Sequence, residues 1–295
     1  MLALTPSYRL LPALILSFST LPGCSFYYDA KAEDMAERQM ETMVFVEGGE
    51  FMMGNPGGWS VRSDTIPVHR VILDDFHIQK YEVTQEDFEL FMAQTGYEPS
   101  DKRYEELIDE NSERFAGELP AVASWTDANA FCQWLGEQSG KNVTLPTEAQ
   151  WEYAARAGGQ MLRYATRNGK AIPDETMAAG PTPHARDGRP YDERLPVKPG
   201  SFPPNPLGLY DMSGNVGEWV SDNYSKDYYQ ESPVSNPSGP EEGQKDIFDG
   251  DPYRVLRGGN FQDFSGNTTV TRRKGSQPLA SETRGFRCAY SGRAS

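Results

Sequence analysis

The chain has 295 residues, a formal charge of −15 at pH 7, 37% hydrophobic residues and 24% charged residues. This composition is typical of a folded protein rich in loops rather than of a disordered one, and the length suits one large domain. The negative charge disfavours nucleic acid as a partner, because binding to phosphates needs clustered Lys and Arg.

The N-terminal segment has the pattern of a bacterial lipoprotein signal. Arg9 precedes a short apolar run at residues 10–21, and Cys24 follows it. The run is shorter than the roughly 20 apolar residues that a membrane-spanning helix needs. We therefore expect residues 1–23 to be removed and Cys24 to carry the lipid, with an ordinary buried N-terminal helix as the alternative. Ser25 rather than Asp follows the cysteine, which predicts a protein anchored in the outer membrane and facing the periplasm.

The remaining chain divides into a tether and a domain. The charged segment of residues 24–42 is predicted to form a polar tether helix with little to bury, before a domain that spans residues 43–292. Strands are predicted at residues 43–46 and 51–54 and again within residues 67–78, because short apolar or alternating runs there end at turn residues.

Three amphipathic helices are predicted further along the chain. The Thr84 hydroxyl can cap the first helix, which Gly96 ends, and the second starts near Thr126. The third begins with a capping box formed by Thr147 and Gln150. Long connections between the elements carry many Pro, Gly and charged residues, as functional loops often do. These connections are residues 98–118, 161–200 and 225–251.

The positions of the cysteines and histidines do not by themselves indicate a particular reaction. Cys132 and Cys288 are expected to be two separately buried thiols, while one disulfide in an oxidising periplasm is the alternative. Cys132 lies on the packing face of the second predicted helix, which favours a role in the core. The histidines, His69, His77 and His184, lie in different segments and are interpreted as structural. The sequence contains no Ser-His-Asp order, phosphate-binding glycine loop or Cys-x-x-Cys unit.

Residues 208–224 form a glycine-rich stretch with four candidate oxygen ligands. The ligands are the side chains of Asp211 and Glu218 and the backbone carbonyls of Gly214 and Val216. Calcium accepts six to eight oxygen ligands and combines carboxylates with main-chain carbonyls. The stretch therefore predicts a calcium loop, and the alternative is a glycine-rich turn before a strand with a buried aromatic side chain.

Seven short motifs follow one another along the chain. They are residues 45–54, 67–71, 82–84, 145–156, 208–219, 257–261 and 285–287. In this order they resemble the sulfatase-modifying-factor family, which includes the formylglycine-generating enzyme, from about residue 43 to residue 290.

The resemblance implies an α+β fold, an irregular mixed α/β domain that is distantly similar to C-type lectins. It also implies a structural calcium ion at Asp211, Gly214, Val216 and Glu218. A second calcium site of the family lies near Asn168, where this sequence departs from the family pattern. The sequence therefore gives no basis for placing a second calcium ion there, and its presence stays open.

The resemblance breaks at the positions that carry the family's oxygen chemistry. The formylglycine-generating enzyme binds copper(I) through two cysteines, five residues apart and just after an Arg-Gly-Gly segment. Counted from Arg257, these positions are Asp263 and Thr268. Neither supplies a thiolate, the soft ligand that copper(I) prefers, so copper is not expected. Asp263 has the chemistry of a general base or metal ligand for a changed reaction.

Basic residues dominate between residues 254 and 287, where seven Lys and Arg stand against two acidic residues. In the family this segment lines the substrate groove, so the resemblance implies a groove for an acidic peptide or anionic ligand. The candidate groove residues are Arg257, Asn260, Arg272, Arg273, Arg284 and Arg287. The alternative is that these arginines pair with the protein's own Asp and Glu.

These features predict a lipid-anchored protein of the bacterial cell envelope that has lost copper-cysteine catalysis. It is expected to act as a binding or accessory protein for a protein or peptide partner, such as an envelope or secretion-system protein or a toxin that it neutralises. Membrane contact is expected through the lipid alone. The alternative is a metal-dependent oxidoreductase that modifies a protein or peptide side chain, since some relatives act without the cysteine pair.

Overall fold

The computed structural model describes residues 22–59, 62–110, 114–173, 175–178, 194–247 and 250–292, with side chains from Tyr28 onward except that of Glu110. Helices and short strands alternate with long irregular connections. The predicted α+β class is confirmed.

The described residues form five α-helices: α1 (Pro22–Glu41), α2 (Gln85–Thr95), α3 (Tyr104–Glu110), α4 (Trp125–Ser139) and α5 (Glu148–Ala155). The Thr84 side chain accepts a hydrogen bond from the Asp87 N–H at the start of α2, and Gly96 ends this helix in left-handed backbone. Thr147 and Gln150 form the reciprocal capping box of α5. Helix α3 lies inside a connection that was predicted to be a loop.

The strands are β1 (Met43–Val46), β2 (Gly49–Met53), β3 (His69–Leu73), β4 (Phe76–Gln79), β5 (Val143–Thr144), β6 (Gly217–Asn223), β7 (Arg254–Arg257), β8 (Arg273–Ser276), β9 (Arg284–Phe286) and β10 (Ala289–Ser291). Two four-stranded sheets have the orders β1-β4-β10-β5 and β8-β7-β6-β9, and β2 pairs with β3. Strands β6 and β7 are antiparallel, with Glu218 opposite Arg257. The loop before β6 and the loop after β7 therefore meet at one end of this sheet.

Helix α1 packs on the domain, which corrects its prediction as a tether with little to bury. Ala32 and Met35 are each 1% exposed and belong to the apolar cluster of α2 and α4. The side chains of Arg38 and Gln39 both donate to the carboxylate of Asp87 on α2. The apolar stripe is narrow and lies in a charged sequence, so composition hides it. None of the helices in the described ranges is long and apolar enough to span a membrane.

Cys132 on α4 and Cys288, just before β10, form a disulfide with a Cα to Cα distance of 5.5 Å. The prediction of two separate thiols was wrong. Both residues are fully buried, but they are 156 residues apart in sequence, and proximity at that separation leaves no local pattern. The bond joins α4, in the apolar cluster shared with α1 and α2, to the residue just before β10.

Helix α5 packs against β6 and β7 and carries two buried carboxylates one turn apart, Glu148 and Glu152. Arg257 of β7 donates to Glu148 at 2.8 Å and to Glu152 at 2.6 Å. Arg273 of β8 donates twice to Glu148, at 2.8 and 2.9 Å. Paired and hydrogen-bonded charges of this kind are the ones that a protein interior tolerates. The network fixes the strands that flank the loop after β7.

Candidate functional site

The loop that follows β7 forms one wall of a cleft. Gly258 and Gly259 have φ values of +87° and +71°, and a Cβ on Gly259 would lie 2.7 Å from the carbonyl oxygen of Asn267. Only glycine fits such a turn. The turn encloses a cavity of about 80 Å³, lined by residues that include Asn260, Asp263, Arg272, Lys274 and Arg284.

Asp263 lies in this cavity, and neighbouring amides hold its carboxylate. Its Oδ2 accepts hydrogen bonds from the backbone N–H of Asn260 at 3.1 Å and from the Asn260 side chain at 3.0 Å. Burial raises the pKa of Asp263 above its usual value, although the Asn260 hydrogen bond and the nearby Arg272 oppose the rise. An oxygen-bearing group thus stands at the first of the two positions that the sequence resemblance predicted for the family's thiols.

Thr268, at the second position, is fully buried. Its hydroxyl donates to the carbonyl oxygen of Ser265 at 2.9 Å. Its Cγ2 and Cα lie 2.9 and 3.1 Å from the point where Gly259 would carry a Cβ. Thr268 therefore supports the glycine turn and offers no thiol to the cavity.

Three cations, Arg272, Lys274 and Arg284, line the same cavity. The Nη1 of Arg284 donates to the carbonyl oxygens of Gln277 at 3.2 Å and Leu279 at 2.7 Å, and burial lowers the pKa of Arg284 to about 10. The buried Nη1 of Arg272 has no hydrogen-bond partner in the described part of the chain. Burial lowers the pKa of Arg272 as well, while Lys274 is exposed at the rim.

Three arginines of the predicted groove, Arg257, Arg273 and Arg287, are buried ion-pair partners instead, each at most 1% exposed. Arg287 donates to both carboxylate oxygens of Glu218 at 2.7 Å, and the other two bind the carboxylates of α5. This corrects the prediction that their guanidinium groups are available to a ligand, although Arg257 also borders the cavity. The alternative of internal pairing holds for them. The other predicted groove residues line the cavity: Asn260, Arg272 and Arg284.

The predicted calcium ligands lie in the tight loop before β6 and, for Glu218, at the start of β6 itself. The Oδ2 of Asp211 accepts from the Gly200 N–H at 2.6 Å, and burial raises the pKa of Asp211 to about 6. The carboxylate of Glu218 is more occupied, because its Oε2 also accepts from Trp151 Nε1 at 2.8 Å and both oxygens accept from Arg287. Asp211 therefore accepts fewer hydrogen bonds than Glu218 does.

A third buried carboxylate, Glu82, lies beside this loop and was not among the predicted ligands. Its Oε2 accepts from Asn215 Nδ2 at 2.6 Å. Burial and the nearby charges of Asp211 and Glu218 raise the pKa of Glu82 well above its usual value. The available signal was its place in the motif of residues 82–84, which the sequence alone did not connect to the loop.

These residues fit a hard divalent cation in charge and in donor type. The positive charge of Arg287 offsets only one of the three carboxylates. Among the described residues, no hydrogen bond to the carbonyl oxygen of Gly214 or Val216 is found, which leaves acceptors of the kind that calcium binds. Within the same ranges, no three His, Cys, Asp or Glu side chains converge into a metal site. A calcium ion in this loop therefore depends on the backbone carbonyls.

The other sequence candidates lie apart from the cleft and the loop. Asn168 is exposed in a turn. His69 in β3 packs against Tyr229, with ring centroids 4.6 Å apart, and His77 in β4 stacks on Tyr290 at 4.4 Å. Both histidines have packing roles on different sheets.

His184, most of the predicted signal segment and the Cys24 side chain fall outside what the structure describes. His184 and residues 1–21 are not among the described residues, and Cys24 lies in α1 without a described side chain. Lipidation of Cys24 stays a prediction.

Residues 29–291 match the family described as sulfatase-modifying factor enzyme 1-like domain. The chain is 36% identical over 285 residues to the serine/threonine-protein kinase pkn1 of Chlamydia pneumoniae, an alignment that covers 91% of this chain and 41% of that protein. It is 32% identical over 301 residues to the formylglycine-generating enzyme of Streptomyces coelicolor, covering 85% of this chain and 90% of that enzyme. Its fold is similar to that of PvdO from Pseudomonas aeruginosa, with a TM-score of 0.68 and 26% identity over 84% of this chain and 94% of PvdO.

The chain spans only 41% of the length of the chlamydial relative. The kinase activity in that protein's name is therefore a property of a longer chain, and no phosphate-binding glycine loop was found in this sequence. By contrast, the Streptomyces enzyme is matched over almost its whole length.

Proposed function

The chain belongs to the sulfatase-modifying factor enzyme 1-like domain family, and we propose that it works by binding a protein or peptide partner in the cleft after β7. The chemistry of the cleft carries this proposal, because Asp263 and Thr268 stand where the related enzyme has copper-binding thiols. Carboxylate and hydroxyl oxygens are poor substitutes for the thiolates that copper(I) prefers. The chain has three cysteines, and two of them are joined in the buried Cys132–Cys288 disulfide.

A structural calcium ion forms part of this proposal, held by the four predicted ligands in the loop before β6 and at the start of β6. Bound there, it supplies positive charge that offsets the buried carboxylates. The loop touches the cleft wall directly, since the Phe261 N–H donates to the Asn215 carbonyl at 2.7 Å and the Gly214 N–H donates to the Gly258 carbonyl at 3.0 Å. The ion's role is therefore to hold the cleft in shape.

Copper analysis and oxygen uptake test the binding function. We expect the purified full chain, loaded with copper(I) and freed of excess metal, to keep no stoichiometric copper and to consume no oxygen with a cysteine-containing peptide. The double variant Asp263→Cys, Thr268→Cys is the matched control, because it restores a thiol pair and should bind copper(I). Stoichiometric copper or iron together with oxygen uptake by the parent would overturn the proposal.

We also propose that the protein is anchored in the cell envelope, with an envelope or secretion-system protein or a toxin as partner. The signal pattern before Cys24 supports this. Cys24→Ser should move the protein from the membrane fraction to the soluble fraction, as seen by immunoblotting of fractionated cells. Ser25→Ala is the control and should stay in the membrane fraction. Membrane retention of Cys24→Ser would contradict the anchor.

An oxidoreductase that modifies a protein or peptide side chain is the second candidate, and Asp263 favours it. This carboxylate faces the cavity and has a raised pKa, which suits a general base. Under this alternative the parent consumes oxygen with a bound metal and Asp263→Asn does not. Under the binding function neither protein consumes oxygen.

A further inference from the structure

The cleft cavity has a surplus of positive charge in a protein whose net charge is −15. Arg272, Lys274 and Arg284 contribute positive charges to its lining, and Asp263 contributes a negative one. Arg257 also lines the cavity, but the carboxylates of α5 neutralise it. The surplus is of the sign that a bound anion would compensate.

Arg272 and Arg284 have hydrogen-bond donors that no carboxylate among the described residues accepts. The buried Nη1 of Arg272 has no partner among the residues that the structure describes. The guanidinium of Arg284 is held by two backbone carbonyls, which fix its direction without neutralising it. Burial lowers the pKa of both groups against the opposing charges of nearby carboxylates, as expected for desolvated cations.

The size of the cavity limits what can enter it. Its volume is about 80 Å³, and a cavity needs about 10–15 Å³ on this measure to hold one water molecule. A single carboxylate group therefore fits, whereas a whole peptide does not. The carboxylate of Asp263 in the same wall disfavours a dianion such as phosphate, because like charges at short range repel.

We propose that this cavity is a carboxylate subsite that binds the side chain of an Asp or Glu in the partner. The proposal rests on the binding function above and narrows its ligand to an acidic peptide segment. Arg272 and Arg284 bind the carboxylate oxygens, because guanidinium groups match carboxylates in geometry and charge. Lys274 adds positive charge at the rim, and Asp263 weakens binding through its like charge.

Calorimetric titration of the full chain with short peptides at fixed ionic strength tests the subsite. The probes are tetraglutamate and tetraglutamine, both acetylated and amidated, tetra-alanine with a free C-terminal carboxylate, and inorganic phosphate. We expect tetraglutamate to bind at least about tenfold more tightly than each of the other probes, because charge-assisted hydrogen bonds are about twice as strong as neutral ones.

Variants of the lining residues locate the binding. Arg272→Gln and Lys274→Gln should each weaken tetraglutamate binding about tenfold, and Asp263→Asn should strengthen it. Lys226→Gln, which removes an exposed cation outside the cavity, is the matched control and should bind like the parent. Because Lys274 is exposed, its variant keeps the test decisive even if Arg272→Gln melts early.

Equal binding of tetraglutamate and tetraglutamine, or parent-like binding by both Arg272→Gln and Lys274→Gln, overturns the subsite. Tighter binding of phosphate or of the free C-terminus also overturns it, because the ligand is then not an acidic side chain. The two proposals fail separately: copper-dependent oxygen uptake by the parent removes the binding function, whereas a missing carboxylate preference removes only the subsite.

Discussion

At the scale of single residues, strand geometry gives neighbouring cations different roles. Arg273 is buried on Glu148, whereas Arg272 and Lys274 on either side of it line the cavity. Successive side chains of an extended strand point to opposite faces, so residues two apart share a face. The run Arg272-Arg273-Lys274 therefore contains one internal partner and two residues for the cleft.

The predicted calcium site can be tested at a single residue, Asp211. We expect calcium to raise the melting temperature of the parent relative to excess chelator, because an ion that binds only the folded state stabilises it by about 2.7 kcal/mol at 100 times its Kd. Asp211→Ala should lose this difference in differential scanning fluorimetry. Glu242→Gln, at an exposed carboxylate elsewhere, should keep it. An undiminished calcium response in Asp211→Ala would show that the ligand assignment is wrong.

At the scale of elements, the sequence predicted what depends on local chemistry. The caps at Thr84 and Thr147 are side-chain contacts within a few residues, and both were read correctly. The buried pairs were not predictable in this way, because Glu148 binds Arg257 across 109 residues and Arg273 across 125 residues. The motifs thus located the cleft segment, but only the fold could separate its buried arginines from its accessible ones.

The disulfide between α4 and the segment before β10 is expected to stabilise the packing of these two elements. Replacing both Cys132 and Cys288 by Ala should lower the free energy of unfolding by about 2–5 kcal/mol, because the crosslink restricts the unfolded chain. Urea unfolding measures this difference. The parent in excess reductant should unfold like the double variant, and reductant should not change the variant further. Equal unfolding midpoints for oxidised and reduced parent would contradict the crosslink.

At the scale of the whole molecule, buried carboxylates couple folding to pH, and Asp222 on β6 is a clear case. It is 2% exposed and accepts hydrogen bonds from the Glu148 N–H at 2.8 Å and the Ser221 hydroxyl at 3.1 Å. Burial and the charge of Glu148 raise the pKa of Asp222 to about 7. The charged or titratable side chains that act on it are Glu148, Arg273, Arg254 and Tyr228.

We expect the contribution of Asp222 to stability to fall as the pH rises from about 4 to about 7 and then to level off. In this range the folded protein keeps a proton that the unfolded chain releases, so the unfolded state binds fewer protons and a higher pH favours it. Each tenfold difference in proton affinity corresponds to about 1.4 kcal/mol. Urea unfolding between pH 5 and 8 in excess chelator should show this decline in the parent and a flatter profile in Asp222→Asn. Identical pH profiles for the two proteins would contradict the assignment.

The docking of α1 sets how far the domain can stand from a bilayer if Cys24 carries a lipid. Asp29 of α1 contacts the domain, because its carboxylate accepts a hydrogen bond from Gln94 of α2 at 3.2 Å. Asp29 is five positions after Cys24 in α1, and a rise of 1.5 Å per residue makes the distance along the helix about 8 Å. Such a short spacer would keep the domain close to the bilayer. If the proposed anchor and binding function both hold, the domain would meet its partner only within a thin layer at the membrane surface.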